Sequence, residues 1–164
     1  MINIDKTNTW KLLLEDVSVT ELNECWAVNV VAPFLFNTKL KYLMKRKNPK
    51  MYPRFIVNVS AMEGVFYRCN KMPMHPHTNM CKAALNMMTR SSGSQYATTH
   101  IYMTSVDTGW ITDENPFLIQ SKNFISPLDE IDGALRCLDP IYEGLKGGKL
   151  DHSVFLKDYK ISFW

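Results

Sequence analysis

The stretch His75 to Lys82, "HPHTNMCK", packs two imidazoles, a hydroxyl, a thiol and an amine into one short run. Thr78 and Lys82 stand four apart, so on a helix they lie on one face. An amine beside a hydroxyl is an arrangement for proton transfer to a substrate oxygen. The hydroxyl is poorly suited to it, because an aliphatic alcohol is far less acidic than a phenol, whose reference pKa is about 10. A general acid works best with a pKa near the working pH, and one nearby cation cannot bring Thr78 there. His75 and His77 titrate near neutrality and are the obvious replacements. Tyr67 is a third. The structural alternative is equally concrete: Thr78 caps the helix, His75-Pro76-His77 is a rigid loop, and Lys82 does no chemistry. No metal site is expected, because His-Pro-His has no third ligand fixed by spacing.

These residues must be positioned by the elements around them. "FIVNV", from Phe55 to Val59, is a short β-branched run suited to a parallel strand covered on both faces. Residues 61–77 read as a loop holding Gly64, Pro73 and Pro76, followed by a helix over 78–98. Upstream, Ser18 or Thr20 caps a helix with Glu21 and Glu24 in its first turns. Leu22, Trp26, Val30, Phe34 and Leu40 continue its apolar spacing toward Met44, which predicts one helix over 20–46 despite Pro33. Downstream come a strand at 101–106, a sharp turn at Asp107-Thr108-Gly109-Trp110 and a surface excursion at 114–126. A helix follows over 128–145, which Pro140 threatens to break, and then a last strand at 153–156. Alternating helices and strands argue for an α/β fold with a parallel sheet and right-handed crossovers.

Composition narrows the classes. The chain has 164 residues, enough for one domain with a real core, with 46% apolar and 21% charged content. The net charge of +3 is small and scattered, so no nucleic-acid partner is expected. The cluster at Lys39, Lys41, Lys45, Arg46 and Lys47 reads as the solvated end of a helix. No apolar run approaches 18 residues, so no membrane span is expected. Cys25, Cys69, Cys81 and Cys137 have no metal or redox spacing. Buried thiols fit an intracellular, reducing compartment such as the cytoplasm.

From about Asn8 onward the sequence resembles the C-terminal half of a short-chain dehydrogenase/reductase. The resemblance rests on "NVSAMEG" at 58–64, on "HPHTNM-KAALNM" at 75–88, on "VDTGW-TDE-P" at 106–116 and on "FLKDY" at 155–159. It implies a partial Rossmann-like, doubly wound parallel sheet equivalent to strands five to seven with flanking helices. The whole of 1–164 would then be one domain without the dinucleotide-binding half, which is expected to precede it. The seven glycines form no G-x-x-x-G-x-G or G-x-G-x-x-G, so nothing here matches the turn that receives a pyrophosphate.

The resemblance also assigns roles by position. Asn29, in "WAVNVVAPF", matches the helix asparagine that holds a water in the proton relay; the alternative is an asparagine bonded to backbone. The substrate-binding serine position is Ala61, and Ser60, one residue earlier, points the other way unless the loop is re-aimed. The tyrosine position is Thr78, with His77 as a substitute. Lys82 matches the lysine that holds the nicotinamide ribose. Gly109, Trp110, Ile111 and Thr112 match the segment that touches the nicotinamide carboxamide. NAD or NADP is the implied cofactor, one this chain alone is expected not to bind. The function implied is that of an NAD(P)-dependent oxidoreductase inactive in this form. The alternative is a structural or assembly subunit derived from that family. The expected partner is a second copy meeting helices 20–46 and 78–98, or the missing N-terminal half.

Overall fold

The structure is a computed structural model and describes residues 8–45, 52–112 and 125–163. Most of the predicted surface excursion and the end of the basic cluster lie outside those residues. Four strands form one sheet: β1 (Arg54–Ser60), β2 (Ile101–Asp107), β3 (Val154–Lys157) and β4 (Lys160–Ser162), in the order β1-β2-β3-β4. The first three are parallel, with Arg54 opposite Ile101 and Thr104 opposite Val154. This is the α/β, partial Rossmann-like arrangement expected. β2 is the buried centre, carrying Ile101, Met103 and Val106 at no more than 1% exposure.

The helix expected over 20–46 is two helices joined by a wider turn. α1 spans Val19–Trp26, capped by the Ser18 hydroxyl on the Glu21 N–H. A π turn covers Ala27–Val31, and α2 runs Ala32–Met44. Pro33 explains the break: it has no N–H for the Asn29 carbonyl, and its ring would collide with that carbonyl in an unbroken α-helix. α3 spans Pro76–Ala97 rather than 78–98, so Pro76 and His77 lie in the helix and not in a loop, and His75, not Thr78, stands at its N-cap. It buries His77, Cys81, Leu85, Asn86, Thr89, Gly93 and Tyr96, a stripe at three- and four-residue spacing. α4 spans Glu130–Leu145 and begins two residues later than expected, because Asp129 and Asp132 close a reciprocal capping box. Pro140 sits inside it without ending it.

Two further findings correct the sequence reading. β4 was not expected. It pairs antiparallel with β3 through a two-residue turn in which Asp158 and Tyr159 both have positive φ. The second concerns crossover hand. Asn58 of β1 donates to Thr89 of α3, whereas the ring of Phe55, on the opposite face of the same strand, lies against Gly144 of α4. Helices α3 and α4 therefore cover opposite faces. Both connect parallel strands stepping in the same direction across the sheet, so the two crossovers have opposite hands. The right-handed rule fails for one of them.

A buried polar chain ties α2, β1 and α3 together. Asn37 donates to Asn58 Oδ1 at 3.0 Å, Asn58 donates to Thr89 Oγ1 at 2.9 Å, and Thr89 donates to the Leu85 carbonyl. The Tyr96 hydroxyl closes the set on the Asn37 carbonyl at 2.9 Å.

Candidate functional site

The expected site residues gather where the C-terminal ends of β1 and β2 meet the N-terminus of α3. Parallel strands put their C-terminal ends on one edge, the usual place for ligands in such sheets. Gly64 sets how closely the loop after β1 approaches α3: a Cβ there would stand 2.5 Å from the Lys82 carbonyl carbon and 2.6 Å from the Ala83 nitrogen. No side chain other than hydrogen fits.

Each expected group has a structural partner. The Thr78 hydroxyl donates to the His75 carbonyl at 2.8 Å and lies 3.3 Å from His75 Nδ1. Lys82 Nζ donates to the Val59 carbonyl at 3.3 Å, anchoring α3 to the strand. The Ser60 hydroxyl, 3% exposed, donates to the Lys82 carbonyl. It faces α3, and Ala61 continues the extended backbone, so the strand end is not re-aimed. Asn29 sits in the π turn and donates through Nδ2 to the Cys25 carbonyl at 3.0 Å.

The histidines differ from each other. His77 is 2% exposed, with Nε2 3.6 Å from Glu21 Oε1 of α1 and with Nδ1 buried and unpartnered. His75 is half-buried in a left-handed conformation, φ 44° and ψ 49°. Its N–H donates to the Leu12 carbonyl and its ring meets Trp10 edge-on at 4.7 Å. Burial pushes its pKa below the ordinary histidine value, with Glu63 opposing. Tyr67 is 78% exposed and stacks edge-on with Phe66.

At the end of β2 the sequence reading missed the central group. Asp107 is buried and accepts hydrogen bonds from the Met62 N–H at 2.6 Å, the Gly109 N–H at 2.7 Å and Lys157 Nζ at 3.0 Å. Gly109 has φ +76°, the conformation that favours glycine, and starts the turn as expected. Trp110 Nε1 donates to the Thr112 carbonyl, and the Ile111 carbonyl accepts from Ser126. The sequence signal for Asp107 was an acid ending an apolar strand. Its partner Lys157 becomes visible only once the parallel register of β2 and β3 is known.

Groups that the resemblance assigns to the nicotinamide side are bonded within the chain. The Gly109 and Met62 N–H groups both donate to the Asp107 carboxylate. The Lys82 ammonium is bonded to a strand carbonyl. The described residues contain no cluster of side chains able to hold a metal ion, and none of their helices is long and apolar enough to cross a membrane.

No family profile matches the chain. An uncharacterised protein of Acanthamoeba polyphaga mimivirus is 30% identical over 148 residues, covering 82% of this chain and 30% of that protein. The chain thus spans under a third of that relative. Among solved structures, NADPH-bound carbonyl reductase from chicken fatty liver superposes with a TM-score of 0.71 at 17% identity, over 98% of this chain and 64% of that one. The Drosophila melanogaster carbonyl reductase Sniffer also gives 0.71, at 19% identity over 93% and 60%. A protein of Burkholderia multivorans assigned to the short-chain dehydrogenases/reductases, with bound NADP, gives 0.68 at 19% identity over 99% and 62%. The chain therefore spans about three-fifths of these structures. Its fold is that of the short-chain dehydrogenases/reductases. The four-stranded sheet with helices on both faces corresponds to part of theirs.

Proposed function

We propose that the chain descends from NAD(P)-dependent oxidoreductases of the short-chain dehydrogenase/reductase family, does not itself transfer hydride at this site, and serves as an assembly subunit. One observation carries the reading: the hydroxyl at the proton-donor position donates to the His75 carbonyl while Lys82 donates to the Val59 carbonyl. Both groups serve the backbone. His77 is too deeply buried to meet a substrate, and Ser60 points into α3.

The assembly half rests on the outer face of α1, α2 and α3. Trp26, Val30, Val31 and Phe34 on one side and Ala84, Met87 and Met88 on the other line an open groove of roughly 710 Å³. Trp26 and Phe34 are 37% and 52% exposed. A second copy meeting this face would cover it, since monomers rarely leave a large contiguous apolar patch in water. Within the described sheet β1 is an edge strand, so a preceding half of the family's fold would find its place there.

Calorimetry with NADH and NADPH tests the first half. Dissociation constants no tighter than about 1 mM are expected, and a micromolar value would overturn it. Light scattering tests the second half. A dimer is expected that Phe34→Asp converts to a folded monomer; a wild-type monomer at the same concentration sinks the assembly reading.

A further inference from the structure

We infer that Cys25 and Cys81 form a reversible disulfide that staples α1 to α3. The two sulfurs lie 3.6 Å apart although the residues are separated by 56 positions in sequence. Both thiols are free in this structure. A disulfide needs an S–S distance of about 2.05 Å, so closure takes a movement of about 1.6 Å shared between two helix side chains. The pair has no spacing signal, since the residues sit on different helices. Cys69, the other thiol near the site, is exposed.

The two thiols have unequal roles. Cys25 is half-buried on α1, and Asn29 Nδ2 lies 3.6 Å from its sulfur, a donor suited to a thiolate. Cys81 is fully buried on α3. Burial pushes its thiol up to about 12, with Cys25 adding to the effect and Lys82 opposing it. Cys25 is therefore the entry point and Cys81 the resolving group. With oxidised glutathione as oxidant, the Cys25 thiolate attacks one glutathione sulfur. A Cys25–glutathione bond forms, the glutathione disulfide breaks, and one glutathione leaves and takes a proton. Cys81 then loses its proton and attacks Cys25 Sγ, releasing the second glutathione. Two cysteine thiols are oxidised and one glutathione disulfide is reduced to two thiols.

The consequence is local. The staple would fix α1 against α3 one residue from Trp26 and one from Lys82, at the head of the groove between those helices. It requires neither the cofactor reading nor the assembly reading.

The test uses the full chain with Cys69→Ser, incubated with oxidised glutathione and mapped by non-reducing peptide mass spectrometry. The expected product is a Cys25–Cys81 linked peptide that glutathione removes. Its formation should accelerate about tenfold per pH unit between neutrality and mildly alkaline pH, as the thiolate fraction of a high-pKa resolving thiol does. Adding Cys81→Ser should trap one glutathione on Cys25, and adding Cys25→Ser should leave Cys81 unmodified. Absence of the linked peptide from the unsubstituted parent chain, under conditions that glutathionylate its Cys69, would overturn the proposal. So would a Cys25–glutathione adduct in the parent that never resolves. Neither result depends on how the serine variants fold.

Discussion

Asp107→Ala should be the most destabilising single change at the strand ends. The carboxylate is 6% exposed and accepts from two backbone N–H groups and from Lys157. Through those bonds it joins the loop after β1, the turn after β2 and the end of β3. Alanine leaves the Met62 and Gly109 donors without their acceptor, at about 1–3 kcal/mol each for a buried unsatisfied group. Lys157 adds less, since it is 30% exposed and keeps Asp158 at 3.6 Å. The sum centres near 4 kcal/mol, in line with about 3–5 kcal/mol for breaking a buried ion pair from one side. Asp107→Asn keeps one acceptor oxygen and turns its amide donors toward the other N–H, so roughly half the loss is expected. Lys157→Met leaves both backbone bonds intact and should cost least. Urea unfolding followed by far-ultraviolet circular dichroism reads all three, with the midpoint moving and the slope unchanged. An Asp107→Ala loss under about 1 kcal/mol would refute the assignment, because it would mean that water satisfies those donors. Lys157→Met costing more than Asp107→Ala would refute it too, by making the lysine the anchor.

Two further outcomes are expected. Gly64→Ala drives a Cβ into the backbone of Lys82 and Ala83, which cannot swing away as a side chain could, and should cost about 1–3 kcal/mol by the same unfolding assay. Stability should also fall at both ends of the pH range. His75 has its pKa lowered in the folded chain, so its contribution is present above the ordinary 6.5 and is lost as pH falls through the lower folded value. Cys81 and Cys137 have theirs raised by burial, so their contribution is present below the ordinary 9.0 and is lost as pH rises from there, for Cys81 toward about 12. Melting temperature against pH should show both limbs, with His75→Gln flattening the acid one and Cys81→Ala the alkaline one.

The parallel strands were legible because "FIVNV" and "IYMTSV" are β-branched and apolar throughout, as a doubly covered strand must be. α3 was legible as a helix over 78–98, within two residues of its observed start. What escaped the sequence was set by single atoms or by register. Pro33 removes one donor and turns a continuous apolar pattern into two helices around a π turn. The turn before β4 uses Asp158-Tyr159 at positive φ, where a sequence reader looks for Asn-Gly. The hand of a crossover depends on which face a helix covers, and the apolar stripe of α4 fits either face. In the site, residue types located Thr78, Lys82, Ser60 and Gly109 on the right elements. Their bonding was not legible, because whether a hydroxyl faces a ligand or a carbonyl is decided by backbone distances. Cys25 and Cys81 make the same point: a pair 56 residues apart has no spacing to read.

Under the proposed loss of hydride transfer, helix α3 shows how such a fold would outlast the chemistry of its site. Its inner stripe, from His77 through Cys81, Leu85 and Thr89 to Tyr96, fills the core and completes the polar chain from Asn37. On its outer side, Ala84, Met87 and Met88 line the groove beside Trp26 and Phe34. Thr78 lies in the first turn, before most of the inner stripe, where the side chain needs only to satisfy the His75 carbonyl. A hydroxyl of any acidity does that. Substitution there therefore costs the core nothing while removing the acidic proton that a phenol would supply. Lys82 is different: its backbone carbonyl takes the Ser60 hydroxyl and its ammonium takes the Val59 carbonyl, so it holds strand and helix together even without a ligand. On the proposed reading, a lysine beside a threonine is what that division of labour predicts for a site that no longer transfers hydride but is still required for packing.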